Sequence, residues 1–206
     1  MMPHMMRSSG GMLAVTVALL ASVLIVVSSP VEAGSHRQSG QTDGLAALRA
    51  QARAGDMAAQ VALGTQLMDS LDDATAADGV RWLEKAALQG APVYCILGDA
   101  YADGVGVAQN ADSAARWYRL GAELGDGLAQ YELAKLYLTG TGVNTDIVRA
   151  VLYLKLADKR VYEAERRREI AELLQRARWW TSWEEWKRVE ELLAQWEPKT
   201  LQDLLN

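Results

Sequence analysis

The stretch "GVGVAQNADSAARWYRLGAELGDGLAQYELAKLYLTGTGVNTDIVRAVLY", residues 104–153, contains nearly the same pattern twice. Its opening loop, GVGV at 104–107, returns 36 residues later as GTGV at 140–143. The segment ARWY at 115–118 returns 35 residues later as AVLY at 150–153. A sequence period in the mid-thirties is typical of solenoids that are built from stacked pairs of helices.

The unit that contains the first loop shows the predicted helix pair most clearly. Apolar residues at three- and four-residue spacing define one face of its first helix, helix A: Val93, Ile96, Leu97, Ala100 and Tyr101. Pro92 suits the first turn of this helix, and Gly104 suits its end because glycine tolerates a positive φ. Asn110 is placed to cap the second helix, helix B, in which Trp117 is expected to fill the space between units.

The neighbouring units follow the same plan and differ at their loops. In the next unit, Asp126 is expected to cap a helix A over residues 128–138, and Asn144 or Thr145 to cap a helix B. In the preceding unit, the segment DSLDDATA at residues 69–76 stands in place of the glycine loop. The sequence therefore predicts three helix pairs, of which the first is the least regular.

The first 33 residues have the features of an export signal. Arg7 supplies a positive charge, and residues 11–27 are uncharged and mostly apolar. The small residues Val31 and Ala33 fit a cleavage site after Ala33. The alternative is an uncleaved membrane anchor, although the run is shorter than the roughly 20 residues that span a bilayer comfortably. Either interpretation places residues 34–206 outside the cytoplasm.

These patterns divide the chain into four regions. Residues 1–33 form the signal peptide or uncleaved anchor, residues 34–43 a flexible linker, and residues 160–206 the C-terminal capping helices. The solenoid between them, residues 44–159, begins with a half-repeat and continues with three full repeats, which cover residues 44–55, 56–90, 91–125 and 126–159.

The C-terminal region is rich in tryptophan and has lost the repeat period. A long helix is expected over residues 161–180, and Thr181 or Ser182 begins the next helix with a capping box. That second helix has one apolar stripe: Trp183, Trp186, Val189, Leu193 and Trp196. The stripe either seals the open end of the solenoid or docks a partner or a membrane interface. Six acids against three bases in residues 182–206 disfavour an anionic membrane surface.

The composition and motifs argue against several classes of function. A net charge of -5 argues against nucleic-acid binding. The two histidines, His4 and His36, precede the first predicted helix, so the predicted helices contain no histidine that could act as a general base. No nucleophile motif, phosphate loop or Cys/His metal spacing is found, and the sequence predicts no catalytic residue, metal or cofactor. The single cysteine, Cys95, is expected to be a packing residue, with a reactive thiol as the alternative.

The repeated motifs resemble those of the Sel1-like repeat family, a relative of the tetratricopeptide repeats. The resemblance covers about residues 44–159, and its clearest residues are Leu97-Gly98, Tyr101, Gly104-x-Gly106-Val107, Ala114/Ala115-x-Trp117-Tyr118 and Gly125, whereas Val93 replaces the alanine that opens the motif. It implies an all-α fold: a right-handed α/α solenoid of about three Sel1-like repeats, followed here by a C-terminal Trp-rich helical cap. It also implies a binding scaffold rather than an enzyme, and many bacterial members are exported and assemble or regulate envelope complexes.

The resemblance also implies where a partner would bind. In tetratricopeptide-type solenoids, helix A residues off the core face line the concave surface. Carried over residue by residue, this candidate partner-binding groove contains Thr65, Met68, Asp69, Cys95, Asp99, Asp103, Tyr131, Lys135 and Leu138. Asp99 and Tyr131 are expected to be exposed, so that substituting them would affect binding rather than stability.

The predicted function is that of an exported, non-enzymatic interaction scaffold, adaptor or regulator in the bacterial envelope. The expected location is the periplasm, and the alternatives are an inner-membrane anchored protein with a periplasmic domain or a secreted protein. The expected partner is another envelope or secreted protein, with membrane contact only through an uncleaved N-terminal segment and no nucleic acid. The alternative functions are a secreted virulence or host-interaction factor, and a cell-wall or β-lactam hydrolase, since some relatives have been described as β-lactamase-like.

Overall fold

The computed structural model describes residues 44–205, and every regular element in that range is an α-helix. Helix α1 occupies residues 44–53, and the helices that follow it are α2 (Met57–Met68), α3 (Asp73–Leu88), α4 (Tyr94–Asp103), α5 (Ala111–Glu123), α6 (Gly127–Thr139), α7 (Ile147–Asp158), α8 (Ala164–Trp180), α9 (Trp183–Gln195) and α10 (Leu201–Leu205). None of the described helices is long and apolar enough to cross a membrane. The predicted signal peptide or anchor and the predicted linker lie outside the described residues.

The helices pack in sequence order as a solenoid. Helices α2 and α3, α4 and α5, and α6 and α7 form three packed pairs, and α5 also packs on α6 of the next unit. Helices α2, α4 and α6 are the A helices, and α3, α5 and α7 are the B helices. The predicted all-α solenoid of helix pairs is therefore confirmed.

Most of the predicted helix ends are confirmed. The Asp126 carboxylate accepts hydrogen bonds from the Leu128 and Ala129 amides at 2.9 and 3.2 Å, and Asn110 accepts one from the Ser113 amide at 2.9 Å. Gly104 ends α4 in the left-handed conformation, at φ 79°. Each of these contacts lies within a few residues in the chain, which is why local sequence predicts it.

Two predicted helix starts are wrong. Helix α7 is capped by Asp146, whose carboxylate accepts from the Arg149 amide at 2.9 Å, and not by Asn144 or Thr145. Helix α4 begins at Tyr94, so that Pro92 precedes its first turn. In both cases the loop extends one or two residues further before the chain becomes helical.

In the first two units, a glycine on helix A makes room for a large side chain on helix B. A Cβ atom at Gly98 would overlap the ring of Tyr118, and one at Gly64 would lie 2.7 Å from Cγ of Leu83. Leu83 and Tyr118 are 35 residues apart and are both buried. Trp117, which was expected to fill the space between units, is only half-buried. The buried aromatic residue of the Trp-Tyr pair is thus the tyrosine.

Between units, the second glycine of the loop lies against the backbone of the preceding helix B. Gly106 has φ 66°, and a Cβ atom there would lie 2.6 Å from the Ala76 carbonyl oxygen. Gly142 has φ 65°, and a Cβ atom there would overlap the Ala111 carbonyl group. Ala76 and Ala111 are 35 residues apart, so the same contact is made at both junctions. A side chain at either glycine would force the two units apart.

A buried hydrogen bond also recurs between units. Gln60 and Gln130 each donate from Nε2 to a carbonyl oxygen eight residues earlier, in the last turn of the preceding helix B, at 3.2 and 3.0 Å. Cys95 occupies the equivalent position midway between them, 35 residues from each. There the Tyr94 hydroxyl donates to the Ala87 carbonyl instead, at 3.4 Å. Each A helix is therefore tied to the end of the B helix before it.

The C-terminal helices close the end of the solenoid against α7. Ala177 of α8 and Val189 of α9 are fully buried in a cluster with α7, and Trp186 and Trp196 pack partly buried around it. The sealing role proposed for the tryptophan stripe therefore holds for Trp186 and Trp196. Trp183, which the same stripe contains, is 68% exposed.

After α9 the chain turns back over the earlier units. Lys199 donates from its amide to the Glu123 carbonyl at 2.8 Å, and from Nζ to the Glu123 carboxylate at 2.9 Å. Pro198 lies against Gly125 at the end of the second unit, and Leu201 lies against Gly90 at the end of the first. We call residues 196–205 the C-terminal strap.

Replacing Gly106 with alanine should separate the first two units, and Gly55 provides a matched control. Both glycines have positive φ, but a Cβ atom at Gly55 would meet nothing within 4 Å. We expect Gly55→Ala to lower the free energy of unfolding by about 1–2 kcal/mol through its backbone conformation alone. Gly106→Ala should cost about 1–3 kcal/mol more, because it also overpacks the junction.

Urea denaturation followed by circular dichroism would measure both variants. Equal losses for Gly55→Ala and Gly106→Ala would contradict a backbone contact at the unit junction.

Candidate functional site

The candidate partner-binding surface follows the A helices and continues onto α8. The Arg166 guanidinium of α8 lies 3.6 Å from the Glu132 carboxylate of α6, and the Tyr131 hydroxyl of α6 donates to the Glu169 carboxylate of α8 at 2.5 Å. Helix α8 therefore lies beside α6 and extends the row of A helices. We call this surface the A-helix face; its charged residues are Asp69, Asp99, Asp103, Glu132, Lys135 and Arg166.

The nine residues of the predicted groove differ in their exposure. Four of them are exposed: Thr65, Asp69, Asp99 and Asp103. Four others are half-buried: Met68, Cys95, Lys135 and Leu138. The ninth, Tyr131, is buried.

The expectation that Tyr131 is exposed is wrong. Its side chain is 5% exposed and packs in a cluster with Leu154 and Ile170, and Lys135 lies over its ring at 5.0 Å. Helix α8 covers this tyrosine, and α8 lies outside the repeated part of the sequence, so the repeat phase alone places Tyr131 at the surface. A Tyr131→Ala change would therefore test stability rather than binding.

Met68 and Leu138 also contribute to packing. Met68 lies against Gly79 of α3 and packs on the core of the first two units. Leu138 contacts both the core of the second and third units and the core under α8. The apolar positions of the predicted groove therefore hold units together, and the polar positions remain open to a partner.

Cys95 has the surroundings of a packing residue. Burial, together with the negative charge of Asp99, raises the pKa of its thiol well above the ordinary value. The thiol stays protonated at neutral pH, and a protonated thiol is a poor nucleophile. These surroundings support the packing interpretation over the reactive one.

Asp99 is held in place by a tyrosine of α5, the B helix of the same unit. The Tyr118 hydroxyl donates to the Asp99 carboxylate at 2.6 Å. Desolvation raises the pKa of Asp99, and the neighbouring Asp103 raises it further, whereas the hydrogen bond from Tyr118 and the charges of Arg166 and Lys135 lower it. The carboxylate is thus fixed in position at the edge of the core, in a site whose cations lie on two other helices.

Two further acids lie at helix ends where a negative charge is unfavourable. Asp69 is the C-cap residue of α2, and Asp103 is the last residue of α4. The C-terminus of a helix carries partial negative charge and favours cations. Within residues 44–205, neither these two acids nor Asp99 forms an ion pair. Asp69 and Asp103 therefore place negative charge on this face without a stabilising ion pair, and Asp99 is held by its hydrogen bond from Tyr118.

Cations line the clefts between the B helices instead. One open cleft of about 470 Å³ is bordered by Arg116, Arg119 and the Gly142 loop, and another of about 370 Å³ by Arg49, Arg53, Arg81 and Lys85. Across residues 44–205, no group of three or more His, Cys, Asp or Glu side chains is arranged to hold a metal ion. The arrangement on the A-helix face suits recognition of a cationic partner.

Replacing Asp99 with asparagine should remove one pH-dependent contribution to stability. Because the pKa of Asp99 is raised in the folded state, the unfolded chain loses its proton first, near the ordinary value of 3.8. The wild type therefore loses stability as the pH rises from there through the folded pKa. We expect the free energy of unfolding of Asp99→Asn, relative to wild type, to increase over that window and then stay constant.

Urea denaturation across a pH series measures this difference. Tyr118→Phe removes a hydrogen bond that lowers the pKa of Asp99, so it should extend the window to higher pH. A relative stability that decreases with rising pH would contradict desolvation as the dominant influence on this carboxyl.

Comparison with known proteins identifies the repeat. The family model for the Sel1 repeat matches residues 76–90, 91–126 and 127–157. A comparison with curated proteins gave no match.

Two solved structures are similar to this chain. A Sel1 repeat protein from Oxalobacter formigenes is 32% identical, with a TM-score of 0.53 over 64% of this chain and 97% of that one. The protein c5321, a protective antigen present in uropathogenic Escherichia coli strains with an SLR fold, is 27% identical, with a TM-score of 0.64 over 74% of this chain. The match spans only 32% of c5321. With three matched repeats and a relative that it covers almost completely, this chain belongs to the Sel1 repeat family.

Proposed function

We propose that this protein is an exported scaffold that holds another protein on its A-helix face, through a segment of that partner rich in lysine and arginine. Sel1 repeats generally mediate protein–protein interaction, which supports the class of function. The observation that carries the finer proposal is the row of exposed acids on the first two A helices that form no ion pair among residues 44–205: Asp69, Asp99 and Asp103.

The row of acids has the geometry of a repeated binding surface. Asp69 and Asp103 are 34 residues apart and end the A helices of adjacent units. An extended basic segment that runs along the first two units would meet Asp69 on the first and both Asp99 and Asp103 on the second. Charge complementarity of this kind sets the orientation and the association rate of a partner.

The energetic placement of the acids supports a binding role. A negative charge in the last turn of a helix typically costs about 0.3–1 kcal/mol, and a lysine there would be favourable. Asp69 and Asp103 therefore reduce the stability of α2 and α4. A partner that carries lysine or arginine would turn this unfavourable charge into an attraction.

The proposed location outside the cytoplasm is supported by the N-terminal sequence. Residues 11–27 are apolar and uncharged, and Val31 and Ala33 fit a signal-peptidase site. An envelope location then limits the partners to other exported proteins.

A second candidate function is that of a secreted factor that binds host proteins. The observation in its favour is the similarity to c5321, which is a protective antigen of uropathogenic strains. The two candidates differ in where the partner resides, and the A-helix face serves both.

Reversing the charge of Asp103 should separate binding from stability. We expect Asp103→Lys to raise the free energy of unfolding by about 0.3–1 kcal/mol, because a cation at the C-terminus of α4 is favourable. The matched control is Asp158→Lys, since Asp158 is exposed and ends α7, a B helix. Both variants should gain stability, and only Asp103→Lys should lose the partner.

The measurement is capture of the tagged full chain from cross-linked cell envelopes, with quantitative mass spectrometry, beside urea denaturation. A partner recovered equally well with Asp103→Lys and with wild type would contradict binding at the A-helix face.

The export proposal has its own test. In a cell that secretes the full chain, the mature protein should begin at Gly34, which intact-mass spectrometry would show. An intact residue 1 on protein recovered from the cytoplasm would contradict export, without bearing on the A-helix face.

A further inference from the structure

Three tryptophans at the turn between α8 and α9 do not contribute to the cap. Trp179, Trp180 and Trp183 are 88%, 59% and 68% exposed, whereas Trp186 and Trp196 are half-buried against α7. Apolar side chains of this size usually gain from burial. The cap therefore accounts for only part of the tryptophan at this end of the chain. We call Trp179, Trp180 and Trp183 the Trp corner.

The turn that carries the Trp corner is fixed by hydrogen bonds. Thr181 is buried, and its amide and its hydroxyl both donate to the Ala177 carbonyl, at 3.0 and 2.9 Å. Ser182 and Glu185 form a capping box at the start of α9. Because the backbone is held on both sides, the indoles can be presented to a ligand with little ordering of the chain.

Cations without carboxylate partners flank the Trp corner. The Arg176 guanidinium lies 5.3 Å from the centre of the Trp180 ring, and the Arg178 guanidinium lies 4.8 Å from that of Trp186. Neither guanidinium forms an ion pair with any residue in the described part of the chain. Residues 176–188 carry four cations and two acids, and two of those cations, Lys187 and Arg188, pair with Glu191. Arg176 and Arg178 are therefore the cations that remain available beside the corner.

Of the six acids that disfavoured a membrane role, Glu184 and Glu185 follow Trp183 directly, and the other four lie further along the chain. Glu190 is seven residues beyond Trp183, roughly 10 Å along the helix, and pairs with Lys155 of α7 at 2.6 Å. Glu191 lies within 4.0 Å of Lys187 and 3.5 Å of Arg188. The six acids of residues 182–206 thus include two that are paired, and the arginines nearest the corner, Arg176 and Arg178, precede that range.

We propose that the Trp corner binds the interface of an anionic phospholipid bilayer, with the three indoles at the level of the headgroups and Arg176 and Arg178 at the lipid phosphates. Indole rings favour this region of a bilayer, and basic side chains are attracted to its anionic surface. A few indole side chains at one turn are enough to insert into a bilayer interface. A stable protein–protein interface would instead bury about 800 Å² on each partner. This site is separate from the A-helix face and does not depend on the proposed scaffold function.

Quenching of tryptophan fluorescence by brominated lipids tests this proposal with the full chain. Residues 1–43 contain no tryptophan, so insertion of the apolar run at 11–27 would not itself bring an indole into the bilayer. We expect quenching in vesicles of brominated phosphatidylcholine mixed with phosphatidylglycerol. Quenching should be lost in Trp179→Ala/Trp180→Ala/Trp183→Ala, whose melting temperature should stay close to wild type because the removed side chains are exposed.

Two further variants separate the contributions of indoles and cations. Leu71→Ala/Leu88→Ala/Tyr162→Ala removes three apolar side chains that are 103%, 73% and 87% exposed elsewhere, and should leave the quenching unchanged. Arg176→Gln/Arg178→Gln should weaken vesicle binding by about fivefold for each cation removed, roughly 25-fold in total.

Three outcomes would overturn the proposal. In the first, the full chain co-floats with anionic vesicles, but its tryptophan fluorescence is not quenched by the brominated lipid. The second is equal quenching in wild type and the triple tryptophan variant. The third is a dimer, detected by sedimentation without lipid, that the triple tryptophan variant abolishes, since this would assign the corner to a second copy of the chain.

Discussion

The contact between the second loop glycine and the backbone of the preceding helix B is the constraint on which the rest of this solenoid depends. Gly106 meets Ala76, and Gly142 meets Ala111, one period later. Because this contact is between backbone atoms, it sets the spacing of the units independently of the side chains around it. In the first two units, a glycine of the A helix then receives Leu83 or Tyr118 from the B helix of the same unit. The acids of the A-helix face take their positions from the same spacing.

The cap changes the chemistry of the surface as well as closing the core. Helix α8 brings Arg166 and Glu169 beside the third A helix, where they contact Glu132 and Tyr131. The acidic character of the A-helix face is therefore strongest in the first two units and becomes mixed toward the cap. A basic segment that binds this face would have a preferred end, because one end of the row is acidic and the other contains cations.

The sequence predicts the parts of this structure that depend on neighbours in the chain or on the period. Asn110, Asp126 and Ser182 cap helices as expected, because a cap is a contact across two or three residues. Tyr131 was placed wrongly, since its burial depends on α8, which belongs to no repeat. Trp183 and Trp186 share one predicted stripe, and only the packing of α9 on α7 distinguishes the exposed indole from the half-buried one. Long-range contacts of this kind leave no periodic signal in one sequence.

The C-terminal strap has a consequence for how this chain unfolds. In an ordinary solenoid each repeat touches only its neighbours, so terminal repeats can fray independently of the others. Here Lys199 is bonded to Glu123 across 76 residues, and Leu201 reaches the turn at Gly90. Separation of the strap and the C-terminal helices from the solenoid must therefore break contacts to the first two units, which couples both ends of the array in unfolding. The segment between Glu123 and Lys199 is closed into a loop only when the strap docks. This final step of folding should therefore be slower than the formation of the helix pairs.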